Sequence, residues 1–143
     1  MIAPRCCVIV FAAAAVLACA PIMGSHATAA AKTDVCTLIA RPKDFERQLV
    51  TVTAIVRATT HYSMVLVDPN CNERTIILAI PDSAEKTADI EKLRAAVFAG
   101  YPHAPKTRTK AAVTGWFNRA SGRVPMRTIT ATRIADVETA AAD

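Results

Sequence analysis

The residues that could do chemistry here are a few cysteines, one turn histidine and a run of basic side chains. The chain has five cysteines: Cys6, Cys7, Cys19, Cys36 and Cys71. Cys6 and Cys7 sit in an apolar leader and leave with it, while Cys19 leaves or is lipidated. Cys36 and Cys71 then remain as a single pair in a chain sent to an oxidising compartment, where disulfides form and persist. A bond between them would close a loop of about 36 residues and stabilise the fold by about 3–4 kcal/mol on chain-entropy bookkeeping. The rival chemistry is a metal pair. It is disfavoured because His61 and His103 stand at no ligand spacing from either cysteine. We expect the disulfide, with no metal and no cofactor.

His61 follows an apolar run at a turn, near Tyr62 and Asp68, and is the one candidate acid–base residue in the central part of the chain. A lone turn histidine is ordinarily structural. No serine lies in a nucleophile-elbow context, and neither H-E-x-x-H nor a phosphate loop is present. These residues give no catalytic set, and we expect no enzyme.

Charge is the most unusual feature. The formal net charge is +5, and no acid occurs between Glu91 and Asp136. That window holds Lys92, Arg94, Lys106, Arg108, Lys110, Arg119, Arg123, Arg127 and Arg133, with His103. If its strands adjoin, they present one cationic surface for a polyanion, an anionic lipid surface or an acidic partner. The bland counterpart is a solvated basic edge that keeps strands from pairing with neighbours. Trp116 alternates away from Val113, Gly115 and Phe117. It is either an exposed anchor for a sugar or protein contact or packed beneath the loop at Tyr101. The candidate binding set is Lys110, Trp116, Arg119, Arg123 and Arg127.

The first 27 residues read as a secretory signal. Arg5 is followed by CCVIVFAAAAVLACA from Cys6 to Ala20, a basic n-region and an apolar h-region too short to span a bilayer comfortably. Ser25-His26-Ala27 and Ala27-Thr28-Ala29 offer small residues for cleavage. A second reading stays open. Val16-Leu17-Ala18-Cys19 resembles a lipobox, which would make residues 1–18 a lipoprotein signal and Cys19 a lipid anchor. Residues 28–32 read as a linker, 33–138 as one domain and 139–143 as a frayed tail.

The elements that must position these groups follow from periodicity. Asp34 caps a short helix through Ala40, which Pro42 stops. Gln48 to Thr60 alternates with period two, placing Val50, Val52, Ala54, Val56 and Ala58 on one face. Ser63–Val67 and Arg74–Ile80 are apolar on both faces and are joined by Asp68-Pro69-Asn70. One of those faces needs a cover, for which the first helix, held by a Cys36–Cys71 bond, is the nearest candidate. Asp82 and Glu85 suggest the start of a second helix carrying Ile90, Leu93 and Val97 on one stripe. Two more strands follow, Lys110–Arg119 and Met126 to about Val137. On the first, Ala111, Val113, Gly115 and Phe117 face inward. On the second, Ile129, Ala131 and Val137 share a face.

Strand, strand, strand, helix, strand, strand is the order of a five-stranded OB-like barrel, here mainly β with a short helix in front. Val52-Thr53-Ala54 and Val113-Thr114-Gly115 share a pattern, so Ala54 and Gly115 are expected at matching bends of adjacent strands. The chain also resembles a group of exported proteobacterial proteins and lipoproteins with OB-like domains. The resemblance rests on Cys36, Leu38, Pro42, Phe45, Val50, Val52, Ala54, Val56, His61, Leu66, Asp68 and Cys71. Ala54 departs from it, since such proteins usually have glycine there. The resemblance implies fold and export and carries no activity. We therefore expect a non-catalytic binding module of the cell envelope, its partner an envelope component of anionic character. Export argues against nucleic acid, and a membrane would enter only through Cys19. The alternative is a structural or assembly lipoprotein acting through protein contacts.

Overall fold

The computed structural model describes residues 29–61, 63–72, 74–84, 87–99, 107–120 and 126–141. The leader, Cys19, Tyr62, Glu85, Tyr101, His103 and Arg123 lie outside them.

The elements in chain order are β1 (Ala31–Thr33), α1 (Val35–Ala40), β2 (Leu49–Ala58), β3 (Met64–Val67), β4 (Thr75–Ala79), α2 (Ala88–Val97), β5 (Thr107–Ala120) and β6 (Met126–Ala141). A single 3-10 turn, Pro69–Cys71, joins β3 to β4. The sheet order is β1-β2-β3-β4-β6-β5, and β5 pairs back onto β2. That closes a five-stranded mixed barrel, in which β4 and β6 are the parallel pair. This is the OB-like topology the element order predicts.

The barrel interior is filled by the period-two residues. Val50, Val52, Ala54 and Val56 of β2 are buried, as are Leu66 of β3, Ile76 of β4, and Ala111, Val113 and Phe117 of β5. Ile90, Leu93 and Val97 form the buried stripe of α2, which packs on β2, β5 and β6.

Four expectations change. Ala31 and Lys32, read as linker, already pair in parallel with Val50 and Thr51 of β2. β3 pairs with β2 only from Ile55 onward, so the earlier part of that edge is open and β1 satisfies its backbone groups. Next, α2 starts at Ala88 with Thr87 at its N-cap, not at Asp82. The Ala84 N–H bonds the Pro81 carbonyl at 2.8 Å, which places Asp82 in a turn ahead of the helix. The tail is also shorter than expected, because β6 runs on to Ala141 and pairs with Thr107.

The fourth change is one of register. Ala54 stands opposite Ala111, while Gly115 stands opposite Val50, so the two small residues are not partners. Gly115 has its own reason to be glycine. A Cβ there would overlap the backbone carbonyl oxygen of Thr130 and come within 2.8 Å of Ile129 Cγ2. A register shift falls beside it, between Thr114 and Gly115, and a second falls between Lys110 and Ala112. Each inserts one extra β6 residue, and Asp136 at the second shift has φ 51°. β6 therefore buries Ile129, Ala131, Ile134 and Val137. Strict alternation predicts Val137 only because two bulges cancel, and it misses Ile134.

Candidate binding surface

The Cys36–Cys71 disulfide is present, with a Cα–Cα distance of 5.2 Å. It is positioned by two local caps. The Asp34 carboxylate accepts from the Thr37 N–H and from Thr37 Oγ1, both at 2.7 Å, fixing the first turn of α1. The Thr37 hydroxyl, then its N–H, hold the Asp34 carboxyl below the usual carboxylate range. Asp68 caps the 3-10 turn, accepting from the Asn70 N–H at 2.9 Å. The two sulfurs and an Asp68 oxygen all lie within 4.8 Å of one another, but the sulfurs are spent on each other and are not thiolate donors. A shallow cavity of about 200 Å³ adjoins the bond, lined by Ile39, Ala40, Asn72 and Arg74.

The helix covers the meander only in part. Val35, Leu38 and Ile39 of α1 are buried, and α1 touches β4 and the 3-10 turn. Val65 and Ile77, a cross-strand pair on the second face, remain half-buried.

His61 and Asp68 do not form a dyad. His61 is exposed in the β2–β3 turn, and its backbone N–H approaches Thr59 Oγ1 at 3.4 Å. Asp68 is at the far end of β3, about 13 Å of strand away, and its carboxylate is occupied by the turn it caps. The turns that flank β3 project from its two ends, which separates residues that are close in sequence.

The four described candidate binding residues, Lys110, Trp116, Arg119 and Arg127, do not form one patch. Lys110 and Trp116 are on the outer face of β5, exposed between buried neighbours. They are six residues apart, about 20 Å along the strand. Arg119 has the opposite parity, continuing the inward row of Phe117, and Arg127 of β6 continues the row of Ile129. Arg119 and Arg127 face each other across the last rungs of the hairpin, at the end of the barrel. Arg123 lies outside the described residues. The acid-free window does not make an acid-free surface either. Glu138 stands opposite Lys110, and Glu46 Oε2 lies 3.7 Å from Arg119 Nε. Acids outside that window are brought in by the β5–β6 pairing and by the loop that enters β2.

Trp116 is exposed, at 43% of its full accessibility. Leu49 of β2 and Thr130 of β6 flank it in the same rung. On the same face lie Thr114, Asn118 and Thr128. The Thr51 and Thr114 hydroxyls hydrogen-bond at 2.8 Å, and Asn118 Nδ2 donates to the Trp116 carbonyl at 3.3 Å. Met126, the other large exposed apolar side chain among the described residues, is 50% exposed and lies on this outer face. Sequence reasoning found Trp116 but not its surroundings, because Leu49 and Thr130 are brought beside it by the β2–β5 and β5–β6 registers, which no single strand encodes. None of the known family models matches the chain, and no curated protein matches it either.

Proposed function

We propose that the protein is an exported, non-catalytic OB-like binding module of the bacterial cell envelope, and that it binds through the outer face of β5 and β6 around Trp116. Export is supported by the leader pattern of residues 1–27 and by the pairing of the two remaining cysteines. The observation that carries the binding reading is Trp116 itself. A large indole, 43% exposed, sits on the open side of a rigid closed barrel among threonine and asparagine side chains. An apolar ring face bordered by hydroxyl and amide groups suits a saccharide, whose C–H face stacks while its hydroxyls hydrogen-bond. The ligand class is therefore a glycan of the envelope. The separation of Lys110 from Arg119 and Arg127 removes the support for a single cationic docking surface.

Cosedimentation of the processed protein with purified envelope polysaccharide tests this reading. Trp116→Ala should abolish most of the binding at unchanged stability, and Lys110→Gln should leave it unchanged. Equal binding by Trp116→Ala and the parent would overturn the proposal.

Met126 supports a second reading, a structural or assembly lipoprotein anchored through Cys19 and acting through protein contacts. With Trp116 it places two large apolar groups on one exposed face, as interfaces do. Sedimentation equilibrium separates the two readings. A strict monomer at high concentration would count against self-assembly.

A further inference from the structure

We infer that Arg119 and Arg127 form an anion site at the end of the barrel, with Glu46 as its internal competitor and a phosphate group as its ligand. The inference concerns a different surface from the Trp116 face and does not depend on the glycan reading.

Arg119 and Arg127 are direct cross-strand partners. Like charges placed opposite each other in a sheet are destabilising unless something compensates them. The compensation present is incomplete. Glu46 Oε2 lies 3.7 Å from Arg119 Nε, within ion-pair range but too far for a hydrogen bond. Among the described residues Arg127 has no ion pair. The Nε atoms of both arginines are buried and have no hydrogen-bond partner among the described residues. A buried charged donor left unsatisfied is costly, and such groups commonly mark the place of an ion or water. Both arginines are only partly buried, with 31% of the Arg119 side chain accessible. An anion can therefore reach them from solvent.

The charge count selects the ligand. Among the described residues two guanidinium groups face one carboxylate, which leaves one positive charge and two N–H donors unanswered. A phosphate group has three acceptor oxygens and a charge of about −1.5 to −2 at neutral pH. It can bridge both arginines, and planar guanidinium forks favour such paired contacts. A monocarboxylate only repeats what Glu46 already supplies. Glu46 then sets the affinity, because a ligand must displace it or tolerate its charge. A phosphate of this kind is either free or carried on a lipid headgroup.

The test is a titration followed through the arginine side-chain Nε resonances of the ¹⁵N-labelled protein as processed by the cell, at fixed ionic strength. One arm uses inorganic phosphate, with acetate as control. The other uses phosphatidylcholine vesicles with and without phosphatidic acid. Saturable shifts of the Arg119 and Arg127 signals are expected with phosphate and not with acetate. Arg127→Gln should weaken the response about tenfold, as loss of a charged hydrogen bond predicts, and Glu46→Gln should strengthen it. Saturation by inorganic phosphate without vesicle binding assigns the site to free phosphate. Vesicle binding through the same two signals assigns it to a headgroup. Non-saturating shifts in both arms, an equal response to acetate, or no gain from Glu46→Gln would overturn the proposal.

Discussion

In the β2–β3–β4 meander the register runs unbroken, with Ile55 through Ala58 on Val67 through Met64 and then Met64 through Val67 on Leu78 through Thr75. In the β5–β6 hairpin it breaks twice. The meander is tied down from outside, by a disulfide that joins its 3-10 turn to a capped helix. The hairpin is held by close backbone approach at Gly115 and by long pairing from Thr107 to Ala120. The meander carries half-buried aliphatic side chains outward, whereas the hairpin carries Trp116, Met126 and the two facing arginines on the unbroken rungs between its turn and its first register shift. Bulges re-aim side chains and terminate pairing. The barrel thus sets a regular, stapled meander apart from a bulged hairpin that carries the proposed binding residues.

This difference can be broken most severely at the staple. Replacing both cysteines, Cys36→Ser with Cys71→Ser, should cost about 3–4 kcal/mol of stability. Urea unfolding followed by circular dichroism measures it, and the proposed glycan binding by the hairpin should survive in whatever fraction remains folded. A loss below about 1 kcal/mol would mean that α1 is held by packing alone.

The hairpin has its own weak point. Gly115→Ala places a methyl against a backbone carbonyl that cannot swing away. The expected loss is about 1–3 kcal/mol, the range for overpacking. Ala54→Gly in the meander should instead lose only about 1 kcal/mol, mainly through backbone entropy. Similar behaviour at the two sites would contradict the register that separates them.

The smallest effect belongs to the cap of α1. Asp34→Ala should cost about 1 kcal/mol at neutral pH. The folded Asp34 carboxyl titrates below its ordinary value, so its stabilisation is complete above that value and is lost as pH falls through the folded one. The gap between parent and variant should therefore close in acid. A gap that stays constant down the acid range would show that the carboxylate is not the capping group.

The same contrast explains what the amino-acid order revealed. β2 was legible because Val50, Val52, Ala54 and Val56 alternate without interruption, and the cysteine pair because elimination left only two. Trp116 was legible from the parity of β5. Ile134 was not, since a bulge leaves no compositional mark where the residue involved is threonine or aspartate rather than glycine. The facing of Arg119 and Arg127 was hidden for a different reason: cross-strand register is a property of two segments and their turn. Their parity could have been read, because both continue rows of inward residues. The approach of Glu46 could not, since it comes from the loop that enters β2.

Trp116 is the chain's single tryptophan, so its fluorescence reports on the proposed surface without labelling. Titrating the processed protein with soluble envelope glycan fragments, with acrylamide quenching read at each step, is the most direct test. The account predicts a saturable blue shift and a fall in quenching as the 43% exposed indole is covered. Saturable binding with the tryptophan emission and its quenching unchanged would contradict it.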